Sequence, residues 1–339
     1  MDIRATLNRL LQPADLDEAE MAQVLEAILA GEVSPVQTAA FLVALRAKGE
    51  SVGEIAAATR LLRRHAARIQ VNTDHLIDTC GTGGDGLDTF NVSTTAAFIV
   101  AAAGGRVAKH GNRSVSSRSG SADVLEAAGV NLDLSPDQVR ECIETVGIGF
   151  LYAPRHHGAL RQVAEVRRDL GIRTLFNLLG PLLNPASAPY QLVGVFDPRY
   201  LEPVARVLGR LGSRHVLVVH AEDGLDEISI AAPTRVAEWQ EGQVTTYTVT
   251  PEQFGVASTS LAAIRVESVV DSLALMRQVL AGEPGPAADI VVLNAGAALY
   301  AADLVPSLSA GVEMARRVQV SGAGLEKLQA LVEWSQSHG

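Results

Sequence analysis

Up to about Ala67 the apolar positions recur with helical spacing, and each run opens on a recognisable start signal. DLDEAEMAQVLEAILAG begins with an acidic cap. SPVQTAAFLVALRAKG has Ser34 to cap and Pro35 at the first helical position, and SVGEIAAATRLLRRHA begins with a capping box formed by Ser51 and Glu54. The helices are short and closely connected, which predicts a small all-helical domain. From His75 the pattern changes. Short apolar runs, HLIDT, RVAKH, IGFLYA, YQLVGVF and RHVLVVH, predict strands, and they alternate with the helical stretches STTAAFIVAAAG, SADVLEAAG, SPDQVRECIETVG and YLEPVARVLGRLG. That alternation predicts a mainly parallel central sheet flanked by helices, with right-handed crossovers. ISIAAPTRVAEWQEGQVTTYTV instead predicts antiparallel strands joined around Glu241-Gly242, and helical patterns return in VESVVDSLALMRQVLAG and AGLEKLQALVEWSQ. The expected class is α/β, with a small helical domain over 1–70 and a large α/β domain over 71–339.

Composition narrows the function classes. Of 339 residues 47% are hydrophobic and only 4% aromatic, a balance that suits helices over buried parallel strands. A formal net charge of −10 argues against a general affinity for nucleic acid. Cys80 and Cys142 are the two cysteines, so no disulfide framework is indicated, and Cys80 is expected to be a small buried residue. MDIRATLNRLLQPADLDEAE carries charge throughout, unlike a signal peptide, and the most apolar run, TTAAFIVAAAGG, is too short to span a bilayer. A soluble cytoplasmic protein with no membrane partner is expected.

The candidate chemistry begins at DTCGTGGDGLDTFNVSTTAAF, residues 78–98, where a glycine-rich loop follows a strand and precedes a helix that Ser93 or Thr94 is expected to cap. Unpaired amides and the helix dipole favour an anion at such a place, and glycine allows close approach of the backbone. Gly81, Gly83 and Gly86 also satisfy G-x-G-x-x-G, but a dinucleotide site wants an acid about 20 residues later. The next strand ends in Lys109 and His110 instead, and no G-x-x-x-x-G-K-[ST] is present. A second loop, KHGNRSVSSRSGSADVLEAAG, brings Lys109, Arg113 and Arg118 among serines and glycines, which suits a ligand with several phosphates. The carboxylates in the first loop conflict with a bare phosphate. EDGLDEIS supplies a resolution: if Asp226 and Glu227 face the glycine loop they can hold Mg2+, which neutralises both carboxylate and pyrophosphate.

DTCGTGGDG, NVSTTAAF, KHGNRSVSSRSGSADVLEAAG, RTLFNLLGPLLNP and DGLDE, in this order, resemble anthranilate phosphoribosyltransferase, of the phosphoribosyltransferase class that shares its fold with pyrimidine nucleoside phosphorylases. The resemblance runs from the helical N-terminus to the last helix. It implies transfer of the 5-phosphoribosyl group from phosphoribosyl pyrophosphate (PRPP) to the amino group of anthranilate, with Mg2+, on the route to tryptophan. It also implies a homodimer joined through the helical domain, with the site in the cleft between domains. The segment around residues 168–188 is expected to return to the helical domain.

Carried over by position, Gly81, Gly84, Asp85, Thr89, Asn91, Val92, Ser93, Thr94, Lys109, His110, Gly111, Asn112, Arg113, Ser114, Val115, Ser116, Ser117 and Ser121 match the PRPP site. Ser93, Asp226 and Glu227 match magnesium ligands. Asn112 and Arg167 match residues that hold anthranilate, with Gly81 close by, and His110 and His157 match histidines lining the acceptor route. Lys109, Asp226 and Glu227 are the expected catalytic groups, acting on the charge of the departing pyrophosphate. Family members commonly have His-Pro, and a proline before Val-Arg, where this chain has His157-Gly158 and Glu165-Val166; these departures concern the shape of the acceptor entrance. Two rivals share the pattern. A pyrimidine nucleoside phosphorylase would use phosphate as cosubstrate, and FNLLGPL and DGLDE favour the transferase. A catalytically silent nucleic-acid-binding relative would have a basic surface and a degraded glycine loop, whereas GTGGDG is intact.

Overall fold

The computed structural model describes residues 2–84, 86–114 and 118–339. Asp85 and Val115–Ser117, four of the residues matched to the PRPP site, therefore lie outside the described residues.

Four helices come first: α1 (Ile3–Leu10), α2 (Glu18–Leu29), α3 (Pro35–Lys48) and α4 (Val52–His65). Local side chains set their starts. Asp17 accepts from the amides of Ala19 and Glu20, and Ser34 with Gln37 and Ser51 with Glu54 form capping boxes. Pro35 occupies the first turn of α3, where its missing N–H costs nothing.

The chain then enters the sheet. Strand β1 (Leu76–Gly81) leads through the glycine loop to α5 (Val92–Ala102), then to β2 (Arg106–Gly111), α6 (Ser121–Ala128), α7 (Pro136–Val146) and β3 (Ile148–Tyr152). Three helices, α8 (Ala153–His156), α9 (Arg161–Leu170) and α10 (Leu175–Leu179), interrupt the sheet before β4 (Tyr190–Gly194), α11 (Leu201–Arg210) and β5 (His215–Ala221). The hairpin β6 (Thr234–Gln240) and β7 (Gln243–Val249) turns at Glu241-Gly242. Helices α12 (Val269–Leu280), α13 (Pro286–Ala301), α14 (Leu308–Ser321) and α15 (Ala323–Ser337) complete the chain.

The seven strands run in the order β3-β2-β1-β4-β5-β6-β7. Pairing is parallel from β3 to β5 and antiparallel for β6 and β7, as the alternation and the hairpin pattern predict. The chain works outward from β1 to β3, then returns to the other side of β1 for β4 and β5. The direction of winding therefore reverses between β1 and β4, and a crevice at the C-terminal ends of those strands is where open parallel sheets take ligands.

One apolar cluster covers the sheet face beneath α5, α13 and α15. The other runs continuously from the N-terminal helices through Val163 and Leu175–Leu183 to α11 and the opposite sheet face at Val193, Val216 and Val218. The small helical part thus shares its core with the large α/β part. Its attachment is apolar and continuous, and α9 and α10 pack against α2, α3 and α4.

Candidate active site

The ends of β1, β2, β4 and β5 bring the glycine loop, Lys109, Ser93 and Asp226 to one crevice. The strand pair β1 and β4 ends in register at Gly81 and Gly194. Between and above these glycines sits Asp226, on the loop after β5. Its Oδ2 accepts a 2.7 Å hydrogen bond from the amide of Gly83. A Cβ on Gly81 would lie 2.4 Å from that carboxylate, and one on Gly194 would lie 1.6 Å from the Asp226 carbonyl oxygen. Only bare backbone at both strand ends leaves room for the acid. Asp226 therefore faces the glycine loop, the condition on which the reading of DGLDE as a cation site depended. Glu227, half-buried beside it, and Asp226 both add to the negative field at Cys80.

Lys109, near the end of β2, is 3% exposed. Its Nζ donates to the carbonyl of Thr79 and lies 3.4 Å from Ser93 Oγ. The ammonium is thus held at the glycine loop by groups on β1 and α5. Asp78 supports it from below. This buried carboxylate accepts from the amide of His110 at 3.0 Å and from Asn184 Nδ2 at 2.7 Å. Burial pushes its pKa up to about 6, against the pull of Lys109 and of those hydrogen bonds. Asn184 donates again to the carbonyl of Ala108, so it joins β1 to β2.

Asn91, rather than Ser93 or Thr94, takes the capping position of α5, and its side chain makes no capping bond. The amide instead spans the two loops: Oδ1 accepts from Ser119 and Ser272, both at 2.7 Å, and Nδ2 donates to the Ser119 carbonyl. Ser93 and Thr94 fall in the first turn, with Val92 buried ahead of them. Thr94 is 1% exposed and its Oγ1 has no hydrogen-bond partner among the described residues. A buried hydroxyl without a partner at a helix N-terminus is a place where a ligand oxygen would be stabilised. Thr89 makes a bridge to Arg265 and ties the loop to the chain before α12.

The second loop is organised by α6. Asp123 accepts from the amides of Ser114 and Gly120, both at 3.0 Å, and Ser121 Oγ donates to the carbonyl of Asn112. Gly111 closes the end of β2, and Asn112 is exposed. Arg113 and Arg118, read from the sequence as cations for phosphate, are engaged elsewhere. Arg113 pairs with Asp123 and Glu126 on α6, and Arg118 approaches Asp88 at 3.7 Å. Gly84, on the first loop, packs against the guanidinium of Arg173.

On the side of the helical part stand His110, His157 and Arg167. The two histidines are buried, with their Nε2 atoms 3.1 Å apart, and His110 Nδ1 is 3.2 Å from the Gly180 carbonyl. Burial lowers both imidazoles, His110 well below its ordinary value and His157 to about 4; neighbouring histidines add to the effect, His157 and His156 at His110 and His156 at His157. Both are neutral near pH 7. With Nδ1–H of His110 donating to the Gly180 carbonyl, Nε2 is the unprotonated nitrogen of that neutral ring. Arg167, in the last turn of α9, rests 5.5 Å from the centre of the Phe176 ring, and burial lowers its pKa without discharging a guanidinium.

Cys80 is half-buried, not buried as expected, because it stands next to the end of β1 where the strand opens onto the loops. Desolvation and the carboxylates of Asp78, Asp226 and Glu227 outweigh Lys109 and raise its thiol well above the ordinary range, so no thiolate forms. Asp78, Asn184, Gly194 and Arg173 were absent from the sequence-based set. Asp78, Asn184 and Arg173 stood inside quoted motifs, and Gly194 inside a quoted strand run, but Gly194 and Arg173 acquire meaning only when β4 and the α9–α10 connection come alongside the loop.

Comparison with known proteins agrees with this geometry. Residues 73–325 match the family model described as "Glycosyl transferase family, a/b domain", and residues 4–66 match "Glycosyl transferase family, helical bundle domain". An anthranilate phosphoribosyltransferase from Thioalkalivibrio sulfidiphilus is 61% identical over 99% of this chain and 100% of its own. Another, from Methylococcus capsulatus, is 59% identical over 99% and 98%. Among solved structures, the anthranilate phosphoribosyltransferase of Thermus thermophilus superposes with a TM-score of 0.93 at 46% identity, covering 99% of this chain and 100% of its own. The Saccharomyces cerevisiae enzyme in complex with PRPP and Mg gives 0.90 at 26% identity, covering 99% and 98%.

Proposed function

The chain belongs to the anthranilate phosphoribosyltransferase family, and from that premise we propose that it transfers the 5-phosphoribosyl group of PRPP to the amino nitrogen of anthranilate, releasing pyrophosphate, in tryptophan biosynthesis. The observation that carries the reading is the crevice between β1 and β4: a glycine loop, the buried ammonium of Lys109 and a Thr94 hydroxyl without a partner among the described residues accompany a carboxylate held by a loop amide. Family membership decides against the phosphorylase and the catalytically silent relative.

Breaking the bond between ribose and pyrophosphate builds positive charge on the sugar and negative charge on the leaving group, so the protein's task is electrostatic and positional. Lys109 and the amides of the glycine loop, with Ser93, Thr94 and the start of the second loop, are proposed to receive the phosphates. Ser93, Asp226 and Glu227 are proposed to hold Mg2+. The donor set fits: adjacent carboxylates and a hydroxyl are hard oxygen ligands, and the described residues contain no group of three or more His, Cys, Asp or Glu to enclose the ion. Mg2+ commonly takes one or two carboxylates and completes its shell with phosphate and water oxygens. Bound there, the ion would offset the charge that develops on pyrophosphate.

For the acceptor, Arg167 is proposed to hold the anthranilate carboxylate, with Asn112 and Gly81 nearby. The neutral histidines support this division: His110 and His157 bring no charge to the carboxylate, which leaves the guanidinium as its partner on that side. The aniline nitrogen is itself largely uncharged at neutral pH and needs no strong base before attack.

The reading extends to organisation. A division near residue 70, with 168–188 completing the helical domain, is supported by the packing of α9 and α10 on α2, α3 and α4. A homodimer through that domain is supported by exposed Leu11, Val36 and Val43. A cytoplasmic protein without membrane or nucleic-acid partners is supported by the net charge of −10, and no helix among the described residues is long and apolar enough to cross a membrane.

The test is the loss of anthranilate fluorescence with purified protein, PRPP and magnesium, repeated without the metal. Magnesium-dependent loss at catalytic protein concentration is expected. No loss from a folded protein that still binds PRPP would overturn the choice of acceptor.

A further inference from the structure

We propose that Arg173 is an additional PRPP-positioning residue, a guanidinium preset at the rim of the glycine loop to receive the diphosphate. The proposal rests on the phosphoribosyltransferase reading above and adds a residue to it.

Arg173 lies in the short connection between α9 and α10, far from the loop in sequence. Its guanidinium carbon is 4.2 Å from the centre of the Phe196 ring, a stacking distance for a cation on an aromatic face. The same guanidinium also meets the glycine loop: Nη2, Cζ and Nε lie 3.2, 3.6 and 3.6 Å from where a Cβ on Gly84 would stand. Gly84 has φ +74, so a side chain there would be strained and would also press on the guanidinium. Both layers belong to the site. The Phe196 amide donates to Thr82 Oγ1 at 3.0 Å, and the Thr82 amide donates to the carbonyl of Gly194 at 2.9 Å.

Held between the Phe196 ring and the glycine loop, the guanidinium keeps N–H donors for a ligand. Among the described residues it has no ion pair and donates no hydrogen bond to protein. Arg113 and Arg118, the cations the sequence offers for phosphate, already face carboxylates. Arg173 is half-buried between ring and backbone, which strengthens its attraction for an anion relative to a fully solvated side chain. Its planar fork matches two phosphate oxygens, and the stack removes the rotamer freedom that binding would otherwise cost.

The competing explanation is a brace that ties the α9–α10 connection to the loop without touching ligand. Inorganic pyrophosphate with magnesium, titrated calorimetrically into the full-length protein, separates the two. Arg173→Ala is expected to weaken pyrophosphate and raise the KM for PRPP by about tenfold or more, the loss typical of one charge-assisted contact. The KM for anthranilate should stay within about twofold, and Arg173→Lys should recover part of the loss. Unchanged pyrophosphate affinity in Arg173→Ala overturns the proposal, as does an equal loss in Ala and Lys variants that tracks a lowered thermal midpoint. Should the alanine variant not fold, Arg173→Gln keeps length without charge, and wild-type pyrophosphate affinity in that protein is equally fatal. Wild-type protein that binds pyrophosphate yet leaves anthranilate untouched would fault the acceptor proposed above, while Arg173 still stands or falls on the titration.

Discussion

Gly194→Ala asks whether the backbone of β4 sets the position of Asp226. Gly194 is the last residue of the strand and its φ is not in the left-handed region, so alanine is compatible with its conformation and acts only through contact. A Cβ there would stand 1.6 Å from the Asp226 carbonyl oxygen and 3.1 Å from the Asp226 Cβ. Ordinary contact begins near 3.4 Å, so the loop has to retreat by about 1.8 Å (3.4 − 1.6). A retreat of that size breaks the 2.7 Å bond between Gly83 N–H and the carboxylate. Losing a hydrogen bond to a charged group costs roughly 1.5–3 kcal/mol, and overpacking a tight strand end costs about 1–3 kcal/mol more. The sum, roughly 2.5–6 kcal/mol, is a large part of the roughly 5–15 kcal/mol that stabilises a folded protein. A displaced carboxylate should also cost about a hundredfold in rate. The assay is the urea unfolding midpoint together with the rate of anthranilate consumption across a magnesium series. Gly158→Ala, whose Cβ would meet nothing within 4 Å, is the control for stability. If Gly194→Ala loses no more stability than that control and keeps the wild-type rate, the close approach of Asp226 to the strand end does not govern the site.

Three further outcomes are expected. Asp226→Asn combined with Glu227→Gln should abolish turnover, and a near-normal rate at saturating magnesium would refute the metal-binding role of the pair. Arg167→Ala should raise the KM for anthranilate by roughly tenfold or more through loss of a charge-assisted contact; a defect confined to PRPP would overturn the assignment. The last concerns pH. Burial opposes a charge on His215, but its nitrogens lie 2.8 Å from Glu238 and 2.8 Å from Asp303, and these carboxylates hold its pKa above the ordinary 6.5. The stabilisation is complete below the unfolded-state value and is lost as pH rises through the folded one. The wild-type urea midpoint should therefore decline above about pH 6.5 more steeply than that of His215→Asn, and coincident slopes would dismiss the linkage.

What the sequence made legible is what neighbouring residues decide. Ser34 and Pro35, or Ser51 and Glu54, start their helices through bonds closed within a turn, so spacing alone exposes them. The start of α5 misleads because three hydroxyl residues follow Asn91, yet the Asn91 side chain is drawn to Ser119 and Ser272, 28 and 181 residues away. Helix α13 carries no polar stripe to reveal it: almost every residue from Ala287 to Ala301 is buried, against α5, α14 and the sheet. The same division runs through the site. Residues on the two ligand loops stand in motifs, whereas the bond from Asn184 to Asp78 spans 106 residues and the glycines of β1 and β4 meet only through sheet register.

Both sides of that division bear on the proposed catalysis. The groups that would meet PRPP are fixed by bonds in which the ligand takes no part. Lys109 is held by the Thr79 carbonyl and Asp226 by the Gly83 amide, while the second loop is held by the Asp123 carboxylate and by Asn91. Donors already in place need little reorganisation when charge shifts to the leaving pyrophosphate, and such preset electrostatics account for much of what an enzyme contributes to a reaction of this kind. Asp78 completes the arrangement: its buried carboxylate partly balances Lys109, so the ammonium can remain in the interior before ligand arrives. Several of the residues that do the fixing have no proposed contact with substrate, so substitutions at Asp78, Asn184 or Gly194 should lower activity with no change in the residues proposed to touch substrate.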